Sequence, residues 1–327
     1  MHKTTRRIRG AVAAALLSLT LPAVAQDENY PSSPIRMVWG NPAGARGDLI
    51  ARLLAQKLSA QLNTSVVVDN KPGASSNVGA EFVAKSRPDG YTLLFNPSSV
   101  ILSRALGEKL GYDIFRDLAP IALFASGPQL LIVHPSVAAS SVSQFTTYLK
   151  ANPDKLAYGS AGNGSPSHLS ILLFLQSNGV SALHVPYKGS PPAMLDLVAG
   201  RVQFGVVDVG FALTLMKDGR VKGLAITSLK RSPRAPDVPA LAETMPGFEV
   251  GNWFGVMAPA RTPRAIVQRL NGEVMKVVQD ADAAARLLEH DVLPLGSTPD
   301  GYETYLKNEL ERWSKVIKTS GLKSENP

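Results

Sequence analysis

The sequence predicts an α/β protein with a mostly parallel sheet, helices on both faces, and enough chain for two lobes. Short apolar runs alternate with helical stretches along the chain, a pattern typical of parallel sheets covered by helices. The chain has 327 residues, which suits two hydrophobic cores better than one. Hydrophobic residues make up 45% and charged residues 18%, as in an ordered soluble protein.

The N-terminus has the three parts of a secretory signal peptide. Four basic side chains lie in residues 1–10, an apolar run covers 11–21, and Ala-Val-Ala ends at residue 25. The apolar run is shorter than the roughly 20 residues that cross a bilayer. We therefore predict a signal peptide at 1–25, a mature chain that begins at Gln26, and a periplasmic location.

The first part of the mature chain alternates strands and helices. Asp48 is predicted to cap a helix whose apolar residues recur on one face, at 49, 50, 53, 54 and 58. The predicted strands are 35–39, 66–68 and 91–95, with the next helix at 77–85.

The middle and end of the chain continue the plan. The predicted strands are 130–133, 156–158, 183–185, 204–207 and 221–227. The predicted helices are 143–151, 167–177, 191–198, 264–279, 281–289 and 300–319, the last with Tyr302, Leu306 and Trp313 on one face.

Composition excludes several chemistries. The chain has no cysteine, so it forms no disulfide, thiolate nucleophile or cysteine–zinc site. Without the four basic residues of the signal, 30 basic and 26 acidic residues leave a net charge of +4. No basic run with interleaved aromatics suggests nucleic-acid binding. The histidines lack metal-ligand spacing, and neither a dinucleotide fingerprint nor a phosphate loop is present, so we expect no metal and no cofactor.

Ligands of open parallel sheets bind outside the carboxyl ends of the strands, which directs attention to the loops there. The first loop, residues 40–48, joins a strand to a helix. Its backbone N–H groups and the helix dipole favour an anion, and Arg46 is able to add a two-pronged carboxylate contact. The alternative is a tight turn with a solvated Arg46. Asp48 would repel an anion, so it is either a cap or a partner for a ligand amine.

The second loop, residues 159–168, is rich in glycine and serine. Its glycines permit close backbone approach, and Ser160, Asn163 and Ser165 offer hydrogen bonds. A flexible lead-in to a helix cap is the alternative reading. Ser160 does not fit a nucleophile elbow, because that motif needs glycine two residues before the serine and position 158 is tyrosine. His168 follows just inside the next helix.

At these loops the chain resembles the Bug-type substrate-binding proteins of tripartite tricarboxylate transporters. The resemblance runs from Tyr30 to about Lys323. Short tags in a specific order carry it, among them Asn77-Val-Gly-Ala80, Pro88-Asp-Gly-Tyr91, Tyr158-Gly-Ser-Ala-Gly-Asn-Gly164, Val185-Pro-Tyr-Lys-Gly189 and Trp253-Phe-Gly255.

The resemblance implies a two-lobed periplasmic-binding-protein fold of the type II, Venus-flytrap kind. One lobe would comprise residues 26–125 plus 251–327 and the other 126–250, with chain crossings near 125–130 and 245–255. It also implies that the two loops grip a ligand carboxylate and that three further cleft-edge residues lie nearby. The expected ligand-binding residues are Asn41, Gly44, Ala45, Arg46, Asp48, Asn96, Ser98, Ser160, Gly162, Asn163, Gly164, Ser165, His168 and Asp208.

The first loop departs from the family pattern. Where the family usually has Pro-x-x-Pro-Gly-Gly, this chain has Gly40, Ala43 and Ala45, and Arg46 stands where a small residue is usual. Arg46 is therefore expected to replace water bridges with a direct salt bridge. Trp39 beside the loop is either a contact for an aromatic acid or part of the core.

The resemblance implies a monomeric binding protein, not an enzyme, that captures a small carboxylate: a di- or tricarboxylate, an acidic amino acid or an aromatic acid. Its partners would be the membrane permease subunits of a tripartite transporter. Two alternatives stay open, a sensory module for a membrane receptor and an enzyme on the same two-lobed architecture.

Overall fold

In the computed structural model, residues 30–44, 46–320 and 322 are described, and their strands form one curled mixed sheet with helices on its faces. The strands are β1 Ile35–Trp39, β2 Val66–Asn70, β3 Thr92–Pro97, β4 Leu118–Val133, β5 Ala157–Ser160, β6 Leu183–Pro186, β7 Phe204–Asp208, β8 Lys222–Ile226, β9 Gly251–Pro259 and β10 Leu293–Pro294.

The helices alternate with these strands. They are α1 Arg46–Leu62, α2 Asn77–Ala84, α3 Ser99–Ala105, α4 Ile114–Asp117, α5 Val142–Ala151, α6 Pro166–Asn178, α7 Ser190–Val198, α8 Val209–Lys217, α9 Arg264–Val278, α10 Ala281–Glu289 and α11 Pro299–Ser320. Among the residues described, no helix has the length and apolarity that a membrane crossing requires. The predicted signal peptide lies outside these residues.

The sheet is parallel at its two ends and antiparallel in the middle. Its order is β2-β1-β3-β9-β4-β7-β5-β6, with β8 and β10 also paired to β4. β1 is parallel to β2 and β3, and β5 is parallel to β6 and β7. β9 runs antiparallel to both β3 and β4. The α/β prediction is confirmed, with parallel pairing confined to the ends.

Strand β4 changes partners within its 16 residues. Up to Pro128 it pairs with β9, and from Gln129 to Val133 it pairs with β7 and β8. We call β1, β2, β3, β9, β10 and the first part of β4, with their helices, the first half; the rest of β4 and β5–β8, with their helices, form the second half. Gly251 pairs with Pro128, so the chain re-enters the first half beside the residue at which it leaves that half.

Most predicted elements are confirmed within one to three residues, and β1 and α10 match to the residue. One prediction is wrong in detail: α1 begins at Arg46, so Asp48 lies in the first turn and not at the cap. Helices α3, α4 and α8 and strands β9 and β10 were not predicted. Strand β9 is buried along almost its whole length, so its sequence lacks the polar alternation that marks a half-exposed strand.

The core includes Trp39, whose exposed fraction is 3%. Its ring centroid lies 5.6 Å from that of Phe95 and 6.1 Å from that of Phe254. A side chain on Gly47 would overlap this indole, so the glycine lets the start of α1 pack on Trp39. Of the two readings of Trp39, the structure supports the core.

Candidate functional site

The first loop is held from inside by the carboxylate of Asp48, which is 2% exposed. That carboxylate accepts hydrogen bonds from Gly44 N at 3.0 Å, Asn70 Nδ2 at 2.8 Å and Arg52 Nε at 2.9 Å. Burial alone would raise the pKa of Asp48, but these donors outweigh it and lower the pKa below its usual value. Asp48 is therefore an ionised centre that shapes the loop.

The start of the loop is tied to α2. Asn41 Nδ2 donates to Ser76 Oγ at 2.7 Å, and the Asn41 carbonyl accepts from Asn70 Nδ2 at 3.1 Å. Gly44 is exposed and has φ +83°, a left-handed conformation that glycine adopts without strain. Ala45 lies outside the described residues.

Arg46 leaves the first loop and reaches the second half of the molecule. Its Nη2 lies 2.6 Å from Oδ1 of Asp208, which stands where β7 ends and α8 begins. The arginine side chain is 16% exposed and the aspartate 39%. Arg46 Nη1 is fully buried and has no hydrogen-bond partner among the described residues. A buried donor without an acceptor lowers the stability of the fold, so an acceptor supplied to Nη1 would be stabilising.

A second ion pair of opposite sense lies nearby. Asp291, which follows α10 of the first half, lies 2.8 Å from Arg234 of the second half. The Asp291 carboxylate also lies against Gly210, in the first turn of α8, where an added side chain would overlap it. Burial raises the pKa of Asp291, partly offset by Arg234. Each half thus contributes one arginine and one aspartate to this boundary.

The second loop is held by neutral groups. Ser160 Oγ lies 2.7 Å from His184 Nε2 and 3.1 Å from the Gly162 carbonyl, and it also lies 3.2 Å from Gly162 N. Ser160 is 1% exposed, and Ala161 N donates to Ser167 Oγ at 3.1 Å. The loop thus bonds mainly to its own side chains and to His184 of β6.

Two histidines stack beneath this loop. The rings of His168 and His184 lie 3.7 Å apart between centroids and 14° from parallel. Gly164 N donates to His168 Nδ1 at 3.0 Å, which places the ring proton on Nε2. Burial, with a contribution from His184, lowers the pKa of His168 to about 3, and burial also lowers the pKa of His184. Neither ring is charged near neutral pH.

The remaining predicted residues divide into two groups. Asn163 is exposed at the tip of the second loop, and Ser165 caps α6 by accepting the His168 N–H. Asn96 and Ser98 are 0% and 5% exposed: Asn96 Nδ2 donates to Tyr302 Oη at 3.1 Å, and Ser98 N donates to the Trp253 carbonyl at 3.1 Å. The last two therefore pack against β9 and α11.

Of the predicted residues, the structure brings Arg46 and Asp208 into direct contact, and it also shows residues that the sequence did not suggest. Leu106 of the first half reaches the second loop, where a side chain on Gly164 would overlap it. Asp291, Arg234 and His184 are the other additions. His184 lies beside Tyr158 in the parallel register of β5 and β6. Its place at the second loop could therefore be inferred only once the strand order is known.

Comparisons with known proteins agree with this architecture. A family model described as "Tripartite tricarboxylate transporter family receptor" matches residues 50–322. The chain is 37% identical to a protein encoded in the tcbD-tcbE intergenic region of Pseudomonas sp. strain P51, over 95% of this chain and 93% of that one. It is similar to an R. palustris protein solved with adipate, at a TM-score of 0.78 and 35% identity over 90% of this chain and 99% of that one. It is also similar to the periplasmic binding protein BugD, at a TM-score of 0.74 and 32% identity over 90% of this chain and 99% of that one.

Proposed function

The chain belongs to the tripartite tricarboxylate transporter receptor family, and we propose that it is a periplasmic solute-binding protein that captures a small carboxylate and catalyses no reaction. A relative that is 35% identical was solved with adipate, a dicarboxylate, which supports this ligand class. Acidic amino acids and aromatic acids are the other ligand classes in the test below, and tricarboxylates stay within the proposed class.

The observation that carries the proposal is the guanidinium of Arg46. It leaves a strand-to-helix loop, is largely buried, and has one nitrogen without an acceptor. Arginine and a carboxylate form two parallel hydrogen bonds, which fix orientation as well as adding free energy. A ligand carboxylate would supply the acceptor that Nη1 lacks.

We propose that the ligand lies between two lobes, residues 26–125 plus 251–327 and residues 126–250. The boundaries are close to the places where β4 changes partners and where β9 begins, at Pro128 and Gly251. Hinge closure about these two adjacent segments would bring the first and second loops onto the ligand.

The predicted site residues would then have different duties. Asn41, Gly44, Ala45, Arg46, Asn163 and Asp208 would face the ligand, while Gly162, Gly164 and Ser165 would define the path of the second loop. The buried Asp48, Asn96, Ser98, Ser160 and His168 would hold the loops and strand ends in place, since each of them is at most 5% exposed.

Binding is favoured over catalysis by the environment of Ser160. Its 2.7 Å approach to His184 has the length of a nucleophile–base contact. However, the hydroxyl is also engaged with Gly162, and the side chain is 1% exposed, so a substrate carbonyl would not reach it. The contact instead fixes the backbone of the second loop.

The proposed partners are the membrane components of a tripartite transporter, and the proposed route to the periplasm is a cleaved signal peptide at 1–25. The description of the family as transporter receptors favours transport over signalling. The closed protein would present a surface built from both lobes to the membrane components, and we expect it to act as a monomer.

Titration calorimetry of purified residues 26–327 tests the function. The panel is adipate, malate, glutamate and benzoate. We expect at least one acid to bind with a Kd of about micromolar, corresponding to roughly −8 kcal/mol. Arg46→Ala should weaken that binding at least tenfold, because a charge-assisted bond contributes about 1.5–3 kcal/mol.

Arg36→Ala is the matched control, since it removes the same charge from an exposed ion pair on β1. It should leave the Kd within about twofold, because exposed pairs contribute at most about 1 kcal/mol. Equal affinity of wild type and Arg46→Ala would refute the role of Arg46. A folded wild type that binds none of the four acids would refute the carboxylate function.

A further inference from the structure

The side chain of Asp208 does not cap its own helix, and it instead contacts the first half of the molecule. It stands at the N-cap of α8, but its side chain accepts no capping hydrogen bond. The first turn of α8 is contacted instead by the carboxylate of Asp291, from the first half. A side chain on Gly210 would overlap the Asp291 carboxylate, so the contact is close. The carboxylate of Asp208 instead forms the ion pair with Arg46.

The ion pair between Asp208 and Arg46 leaves one guanidinium nitrogen without an acceptor. Only Nη2 is engaged, at 2.6 Å, while Nη1 is buried against the backbone near Gly127 without an acceptor. A carboxylate placed symmetrically in front of Arg46 would satisfy both nitrogens. Asp208 is 39% exposed, so it is able to turn towards water when it is replaced.

We propose that Asp208 is an internal stand-in for the ligand carboxylate: it holds Arg46 before a ligand binds, and the ligand displaces it by bonding Nη1 and Nη2 together. This inference rests on the proposed function. It makes Asp208 a residue that sets specificity, because a ligand without a free carboxylate has nothing to exchange for the aspartate. Amides and esters of the same acids should therefore fail to bind.

The direction of the effect on affinity follows from linkage. An interaction present only in the unliganded protein competes with the ligand, so its removal tightens binding. If the ligand instead bound beside an intact Arg46–Asp208 pair, removal of Asp208 would weaken binding or leave it unchanged. The Arg234–Asp291 pair does not involve Arg46, so the ligand is not expected to exchange with it.

Calorimetry of Asp208→Asn with each acid of the panel that binds wild type tests the proposal. The substitution keeps the side-chain shape and removes the charge. We expect Kd to fall roughly tenfold, a change equivalent to about 1.4 kcal/mol. The matched control is Asp218→Asn, at the other end of α8, where the side chain is exposed; its Kd should equal that of wild type. A Kd of Asp208→Asn that is unchanged or raised overturns the proposal.

A second measurement separates this proposal from the proposed function. The chain has no cysteine, so Val78→Cys on α2 and Leu195→Cys on α7, which are 47% and 71% exposed in wild type, accept spin labels selectively. Without any ligand, Asp208→Asn should lengthen or broaden the distance distribution between the labels, and Asp218→Asn should not. An unchanged distribution would count against a holding role for Asp208 even if no acid of the panel binds.

Discussion

The first and second loops have equivalent positions, each between a parallel strand and a helix, but different chemistry shapes them. In the first loop an ionised carboxylate, that of Asp48, gathers donors from Gly44, Asn70 and Arg52. In the second loop the neutral side chains of Ser160 and His168 bind the backbone, and His184 supports both. The fold thus holds a strand-to-helix loop with a charged side chain in one half and with neutral side chains in the other.

The difference determines what each loop offers to a ligand. The first loop projects the guanidinium of Arg46, which precedes Asp48 by two residues and reaches Asp208 of the second half. The second loop exposes Asn163 and glycine backbone, and its inner groups stay neutral. We therefore propose that the first loop recognises the charge of the ligand and the second loop its shape.

The largest expected effect tests the charged centre. Asp48→Ala leaves Gly44 N, Asn70 Nδ2 and Arg52 without their shared acceptor, and it should lower the free energy of unfolding by about 3 kcal/mol. Urea unfolding followed by circular dichroism measures the change. Asp69→Ala is the control, because Asp69 pairs with Arg36 and Lys71 at the surface, and it should cost less than about 1 kcal/mol. Equal losses would mean that Asp48 does not organise the first loop.

An intermediate effect tests how the second loop contacts the first half. Gly164→Ala places a methyl group against Leu106, whereas Gly179→Ala has the same left-handed φ, +61° against +67°, and open space around it. Both should lose about 1 kcal/mol to backbone strain, and Gly164→Ala should lose about 1 kcal/mol more to overpacking. Thermal unfolding measures both variants. Leu106→Ala in the Gly164→Ala background should recover most of the excess, and failure to recover it would disprove the contact.

The smallest effect is a pH dependence that comes from the neutral second loop. The pKa of His168 is about 3 when folded and near 6.5 when unfolded, so the unfolded chain takes up the proton first as pH falls. Stability is complete above about pH 6.5 and is lost by roughly 1.4 kcal/mol per pH unit below it, until about pH 3. Unfolding free energies at pH 7.5 and 5.5 measure the slope. His168→Gln, which does not titrate, should flatten it; an identical slope would contradict the assignment.

Local pattern was sufficient to predict the amphipathic and alternating elements. β1 and α10 were predicted to the residue because apolar periodicity and flanking polar residues mark their ends. α3 was missed because its central residues, Val100, Ile101 and Leu102, are all buried, so no polar face marks it as a helix. β4 was predicted only at its C-terminal end, since Pro120, Gly127 and Pro128 interrupt its first part and are residues that usually mark turns or strand ends.

The site was harder to predict, because its contacts depend on tertiary structure. Arg46 was singled out from its loop position and Asp208 from the family resemblance, but their pairing joins residues 162 positions apart. Asp291 and Arg234 lie in stretches without a motif, and only the packing of α8 makes them neighbours. Asp48 was predicted to cap α1, but it lies in the first turn of that helix, and its carboxylate accepts from Gly44 N, which precedes the helix.

The C-terminal helix α11 contributes to the tryptophan fluorescence of the molecule. Trp253 of β9 and Trp313 of α11 both donate to Oε2 of Glu309, at 3.0 and 3.1 Å, and Trp253 pairs with Ser126 just before β4 changes partners. The third tryptophan in the sequence, Trp39, lies beneath the start of α1. All three indoles are at most 3% exposed. The fluorescence of this protein therefore originates at the crossing strands and under the first loop, which makes its emission an unlabelled signal of any rearrangement there.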